Sequence, residues 1–434
     1  YRSMSQLNLN QYALTDLRTN APLAVEKLFR GRLDLRNQLM VWEARKGAQG
    51  GYQVNERLIN SIRKIFRVFR TAEDMIGETG IQHGKLQNNQ QAETAFQASN
   101  QGNLVIYPKY RTEPLEIKDG DVIVMRGNRH NSAAIARITT EDSQFSHALI
   151  VHIANDGKKY AVEALIEEGI VIHDLDKILN EGVGRMILLR QADQHLARQA
   201  ALIAYNRGRE AEAKSGEPYD FSMSIFKTNS NGRVEVNYDS FFCSKVISFA
   251  YDIASNGHFV PGRYLSKLPQ NKNGPFLAGI GVTAAETIAP GDLEVDTRFD
   301  IVAEWRDFRI TQGLRLREVV LDKLFDMMEN QGYQFQANAE INIISRTAKN
   351  LSRVPLFAGL ITMLVGKIPS YMNQDVIATM MMLQFTADPM YQDLIQVDNE
   401  YSRTTGLTMS PLALSAILER NIQAGKYSLT YLVR

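Results

Sequence analysis

Between residues 103 and 175 the apolar side chains come in short runs, "NLVIY", "DVIVM", "HALIVHI", "KYAVEAL" and "EGIVIHDL", punctuated by "DG" and "NDG". Runs of this length, rich in Val and Ile and closed by Gly and Asp, are strands joined by tight connections. Upstream the texture differs. Residues 57–70 read "RLINSIRKIFRVFR": Leu58, Ile59, Ile62, Ile65, Phe66 and Phe69 recur at steps of three and four, leaving Arg57, Arg63, Lys64, Arg67 and Arg70 largely on other faces. That is a basic amphipathic helix. Residues 87–103 are rich in Gln and Asn, have no apolar period and read as a linker. Downstream, "LREVVLDKLFDMMENQG" sets Leu316, Val319, Val320, Leu324, Met327 and Met328 on one side of a helix that Gly332 ends. The expectation is an α+β chain in three parts. Residues 1–103 form an N-terminal helical region ending in the linker. Residues 104–305 form a mixed domain that includes helices at 195–213 and 240–256 and a returning strand in "TRFDIVAEW". Residues 306–434 form a C-terminal helical domain.

Charge excludes one large class of partner. With 49 basic and 48 acidic residues the net charge is +1, so no overall field favours nucleic acid. The most apolar run, residues 354–365, is about a dozen residues long, where a membrane-spanning helix needs roughly 20. It reads as a buried helix, with a membrane-dipping hairpin as the alternative. The basic stripe at 57–70 likewise offers packing on its own domain or peripheral contact with an anionic membrane. The opening residues show no apolar core of signal-peptide type, and a trimmed start is compatible with the sequence. The single cysteine, Cys243, excludes an internal disulfide framework.

That cysteine stands at a telling place. Cys243, Val246, Ile247, Ala250 and Ile253 follow helical spacing, with Asp239 or Ser240 as the expected N-cap and Gly257 as the stop. Cys243 therefore lies in a first turn, where unpaired N–H groups and the positive end of the helix dipole favour a thiolate. The same N–H groups, Ser244's among them, suit the oxyanion of an acyl-transfer intermediate. The competing reading is a small hydrophobe buried for packing.

A thiolate needs a base, and the chain has seven histidines. In "FSHALIVHI", alternation sends His147 to one face with Leu149 and Val151, and His152 to the other, so the two cannot serve one site or one metal. No zinc-type spacing is present, and no cofactor is expected. Glu163 sits inside a short apolar strand and wants a partner: either an imidazole that it orients, or an arginine such as Arg185 or Arg190.

In their order, "KDGDVIVMRGN", "FSHALIV", "AVEAL", "EEGIVIHDL", "GEPYDFSMS", "FFCSKVISFAYD" and "TIAPGDLEVDTRFDIV" resemble the YiiX/YebB-like permuted papain-fold cysteine hydrolases, a branch of the NlpC-type amidase superfamily. In that branch the histidine and its orienting residue precede the cysteine, as they do here. The resemblance covers roughly 104–305. It implies Cys243 as nucleophile, His147 as general base, Glu163 as orienting group and Tyr219 as a supporting donor near the oxyanion. It departs from the compact family domain in a lengthened segment, "SIFKTNSNGRVEVNY", and in two long flanks. The implied function is hydrolysis of amide bonds, most simply cell-wall peptides, in a bacterial cytoplasm or after export. Two alternatives stay open. One is acyl transfer or thioester hydrolysis on lipid or acyl substrates, which an apolar lining near the site would favour. The other is a non-catalytic scaffold whose flanks bind a partner or membrane.

Overall fold

The computed structural model describes residues 14–45, 54–82, 103–111, 115–166, 168–180, 183–214, 217–228, 234–351 and 372–434. Most of the Gln/Asn-rich linker and all of the apolar run at 354–365 lie outside the described residues.

Seven strands form one antiparallel sheet: β1 (Leu104–Ile106), β2 (Val122–Gly127), β3 (His147–Ile153), β4 (Lys159–Leu165), β5 (Gly169–Asp174), β6 (Val183–Gln191) and β7 (Phe299–Arg306). Their spatial order is β1-β7-β6-β2-β3-β4-β5. Alternate residues of each strand feed two cores. Val122, Val124, Ala148, Ile150 and Val162 face one way, while Ile123, Met125, Leu149, Val151 and Ala161 face the other. Both faces are covered, which is why the strands read as continuous apolar runs.

The helices are α1 (Leu14–Ala44), α2 (Glu56–Gln82), α3 (His130–Arg137), α4 (Gln194–Ala213), α5 (Cys243–Ala254), α6 (Gln270–Gly279), α7 (Thr311–Gln331), α8 (Ala339–Leu351), α9 (Gln374–Thr405) and α10 (Pro411–Gln423). Helix α4 starts where Asp193 accepts from the N–H groups of His195 and Leu196. Helix α7 ends at Gly332, whose φ of 77° places it in the left-handed region that favours glycine. The α+β expectation holds. Strand β6 and helices α3 and α6 had no counterpart in it.

The N-terminal helices are tied to the sheet by buried charge. The Arg32 guanidinium on α1 donates to Glu73 on α2 at 3.0 Å and to Glu304 on β7 at 2.6 Å. Arg70 on α2 reaches Glu294 and Glu304, and Arg306 reaches Glu304 at 2.5 Å and also Glu73. Burial works against the charge on Glu304, but Arg306, Arg32 and Arg70 hold its carboxyl well below the usual range. Three more basic residues of 57–70 are engaged within the fold: Arg63 pairs with Asp292 at 2.6 Å, Lys64 with Glu141 at 3.0 Å, and Arg67 with Asp322. No helix among the described residues is long and apolar enough to cross a membrane.

Removing one member of such a network leaves buried charges without partners. Arg32→Met is expected to destabilise the fold by about 3–5 kcal/mol, read as a lowered urea midpoint. An unchanged midpoint would mean that the network does not hold α1 and α2 to the sheet.

Candidate active site

Helix α5 begins at Cys243 itself. Phe242 occupies the N-cap position in extended conformation and its side chain accepts no hydrogen bond. The expected caps, Asp239 and Ser240, lie outside the helix; Asp239 instead pairs with Lys227 at 2.7 Å. No side chain caps the helix start; the Lys245 N–H donates to the Phe242 carbonyl at 3.0 Å, and the Ser244 N–H is directed at the Cys243 sulfur. The Ser244 hydroxyl turns away and donates to the Ile288 carbonyl at 2.5 Å, so its backbone faces the sulfur and its side chain anchors the helix start.

The sheet opens a place for this helix tip. Strands β3 and β4 pair from Ile153↔Lys159 only as far as Ile150↔Val162. N–H groups along β3 alternate between neighbouring strands, and Val151 donates to Asp121 on the β2 side. The N–H of Ala148 therefore points toward β4 beyond the end of the ladder, and there it meets the sulfur of Cys243.

His147 and Glu163 lie just past the same end point, on the face shared with Leu149, Val151 and Ala161. His147 Nε2 lies 2.5 Å from Glu163 Oε2. The ring is also hydrogen-bonded to Cys243. With Nε2 engaged by the carboxylate, Nδ1 is the nitrogen left for the sulfur. Neither alternative arginine reaches Glu163: Arg185 binds Asp74 at 2.6 Å, and Arg190 binds Asp121 at 2.7 Å. His152, on the opposite face, sits 3.2 Å from Asp119 and against the Tyr205 ring, away from this cluster.

A third side chain joins the group without having been anticipated. His173 Nδ1 lies 2.9 Å from the other oxygen of Glu163. The register explains the meeting: Ala161 pairs with His173 and Glu163 with Val171, so Glu163 and His173 are diagonal neighbours on one face. The carboxylate is thus held at both oxygens by imidazoles while being only 2% exposed.

The electrostatics follow from these contacts. Burial raises the Glu163 carboxyl, but its hydrogen bonds to His147 and His173 outweigh that and bring it down to about 2. For His147, burial would lower the imidazole, yet the hydrogen bonds to Cys243 and Glu163 lift it to about 10. His173 is raised by its hydrogen bond to Glu163 against a smaller opposing effect of burial. The Cys243 thiol is pushed up by burial and brought below its ordinary value by the His147 hydrogen bond and charge, with the Ala148 and Ser244 N–H groups adding to them. The same contacts that draw the thiol down hold the imidazole up, so each favours the charged form of the other. Cys243 is 3% exposed whereas the His147 side chain keeps 20%, so approach from solvent runs across the ring.

Tyr219 stands beside the helix start. A parallel bridge joins it to Phe241, two residues before the cysteine, and its ring meets Phe221 edge-on. Its loop is clamped to α5 by a second feature absent from the sequence expectation: fully buried Lys245 donates to Asp220 Oδ2 and to the Ser224 carbonyl, both at 2.9 Å. Among the described residues no group of His, Cys, Asp and Glu is arranged to hold a metal ion.

Residues 116–296 match the family model of the permuted papain-like amidase enzymes, YaeF/YiiX, C92 family. The match spans β2 to the segment just before β7 and leaves α1, α2 and the helices from α7 onward outside it. Comparison with curated proteins and with solved structures gives no match.

The two imidazoles do separable work on Glu163. Glu163→Gln should lower kcat on any amide substrate by about 10²–10³-fold, with KM little changed. His173→Gln, which removes one charge-assisted hydrogen bond, should cost about tenfold. Equal, negligible effects of both changes in steady-state kinetics would remove Glu163 and His173 from the machinery.

Proposed function

From the match of residues 116–296 to the permuted papain-like amidase family model, we propose that the chain hydrolyses an amide through an acyl-enzyme on Cys243. The observation that carries this reading is the contact of a helix-tip thiol, held below its ordinary pKa, with an imidazole whose other nitrogen is held by a buried carboxylate. In the first half-reaction the Cys243 sulfur attacks the amide carbonyl, forming a C–S bond. The first-turn N–H groups stabilise the oxyanion, with the Tyr219 hydroxyl as a supporting donor by family resemblance. His147 gives its proton to the departing nitrogen as the C–N bond breaks. In the second, His147 takes a proton from water, hydroxide displaces sulfur, and the acid is released with the thiolate restored. Glu163 stays ionised throughout and keeps the ring aimed. His173 acts on Glu163 and not on the substrate.

A cell-wall peptide was the simplest substrate from sequence. The pocket beside Tyr219 is lined by apolar side chains, which favours a greasier acyl group on that side of the site.

The charge state gives a direct test. A thiolate stabilised by His147 alkylates with a midpoint below the roughly 8.5 of a free thiol, while loss of the imidazolium as pH passes about 10 removes the general acid and lowers kcat. The expected kcat profile is a bell whose alkaline limb belongs to His147. His147→Ala leaves burial opposed only by the Ala148 and Ser244 N–H groups, so the alkylation midpoint should move up. Iodoacetamide labelling of Cys243 across pH checks both statements. A midpoint at or above the ordinary thiol value in the unaltered protein contradicts the catalytic reading.

A further inference from the structure

A small polar cavity, with no catalytic residue in its wall, lies where α2, the loop leading into β3 and the segment before β7 meet. Its wall includes Arg63 and Arg70 from α2, Asp142, Ser143 and Gln144 from the loop, and Glu294 from the segment. The interior has room for about one water-sized sphere. The loop is held in an unusual shape. Gln144 takes a φ of 61°, a left-handed backbone that a residue other than glycine rarely adopts, and its N–H donates to Asp142 Oδ1 at 2.7 Å. Gly291 packs so closely on the loop that a Cβ there would meet the Ser143 carbonyl oxygen at 2.1 Å.

The wall has donors to spare and is short of acceptors. Arg63 Nε, Arg70 Nη1 and Gln144 Nε2 are buried and find no acceptor among the described residues. The residues that carry them are at most 7% exposed. Their remaining polar atoms are engaged: Arg63 Nη2 donates to Asp292 at 2.6 Å and to the Tyr264 carbonyl at 2.8 Å, and Arg70 Nη2 donates to Glu294. Gln144 Oε1 accepts from Arg185 at 3.2 Å, which settles that the amide nitrogen is the end left over. The two carboxylates of the wall are already occupied. Glu294 is held by Arg70 and lies 3.5 Å from Arg32, while Asp142 accepts from Gln144 and lies 3.7 Å from Arg67. Neither adds an unpaired buried oxygen. Behind the loop, positive charge is weakly matched: Arg126 and Arg185 stand opposite each other in the β2–β6 register, both 1% exposed, and the pair of Arg126 with Glu318 is long at 3.7 Å.

A buried N–H without an acceptor is costly. A water molecule accepts two hydrogen bonds and brings two hydrogens of its own, for which this wall has no unpaired acceptor. A ligand that only accepts, and that carries negative charge, answers both needs. The size of the interior excludes phosphate, sulfate and carboxylates. We propose that the cavity binds chloride, held by Arg63, Arg70 and Gln144, and that the anion fixes the loop from which β3 and His147 start. The site is independent of the amidase reading.

The test is thermal unfolding of the chain in sodium gluconate, titrated with sodium chloride at constant ionic strength so that the screening of surface charge stays fixed. Chloride should raise the melting temperature saturably, by roughly 2–4 °C at a hundredfold excess over its Kd. Bromide should act alike. Gln144→Glu places a carboxylate oxygen where the amide nitrogen stands and supplies the missing acceptor from within, so its melting temperature should be the same in chloride and gluconate. Should that variant fail to fold, Gln144→Met, which removes the amide donor, should raise the half-saturating chloride concentration by about tenfold. Crystals grown in sodium bromide should show anomalous density between Arg63, Arg70 and Gln144. Ordered water alone at that place, with a melting temperature indifferent to the anion, would overturn the proposal, as would a chloride response undiminished in Gln144→Glu.

Discussion

Along β3 the backbone N–H groups point alternately to β2 and β4, and the site is built on the place where this alternation loses its partner. The β3–β4 ladder ends at Ile150↔Val162, so Ala148 offers its N–H to the Cys243 sulfur and not to a strand. His147 and Glu163, on the opposite face of their strands from Ala148 and Val162, come within bonding distance just beyond that end. A continuous ladder would bond the Ala148 N–H to β4 and leave the helix tip nothing to approach. From this one interruption follows a thiol drawn below its ordinary value by the imidazole and two N–H groups, beside an imidazole held up by the thiol and a carboxylate. Glu163 in turn keeps its charge inside the protein because two imidazoles hold it; without them, burial would favour its neutral form.

The large flanks have a physical role beside this compact centre. On the N-terminal side, α1 and α2 put Arg32 and Arg70 into a buried cluster with Glu73, Glu294 and Glu304. That cluster fixes β7 and the segment before it, where Asp292 also accepts from the N–H groups of Ser266 and Ala289. The neighbouring Ile288 carbonyl receives the Ser244 hydroxyl, so the N-terminal helices support the start of α5 through an intervening loop. On the C-terminal side, α9 lies against α6 and α3 and supplies a wall of the apolar pocket. The N-terminal flank thus supports the start of α5, while the C-terminal flank supplies α9 residues to the pocket wall.

Much of this was legible in the sequence because the relevant signals are local. Alternation in "HALIVHI" separates His147 from His152, and spacing in "CSKVISFA" puts the cysteine at a helix start. What escaped was set by pairing across the chain. Strand β6 has apolar residues on both faces and arginines near each end, so it shows no alternation, and Arg185 and Arg190 make sense only once Asp74 and Asp121 are placed against them. His173 shares a face with Glu163 by virtue of the β4–β5 register, which a reading of either strand alone does not fix. The N-cap was misassigned because Asp239 and Ser240 have good capping side chains, whereas the chain turns at Phe242. A side chain filling that cap would compete for the N–H groups that a thiolate needs, so the poorer cap is the one that leaves them for chemistry.

The same logic applies to Lys245, a charged residue with no exposed surface in the first turn of α5. Burial works to lower its ammonium, which Asp220 opposes, and breaking such a pair leaves a charge stranded inside the protein. The contact therefore has little freedom to shift, and it fixes the loop from Tyr219 to Ser224 relative to the sulfur from both ends: Lys245 holds Asp220 and the Ser224 carbonyl, while the backbone N–H of Asp220 donates to the Phe241 carbonyl at 2.9 Å. Tyr219, Phe221 and Met223 on that loop all line the pocket. The start of α5 and the Tyr219 wall of the pocket are consequently held by one unit, so that neither shifts without the other.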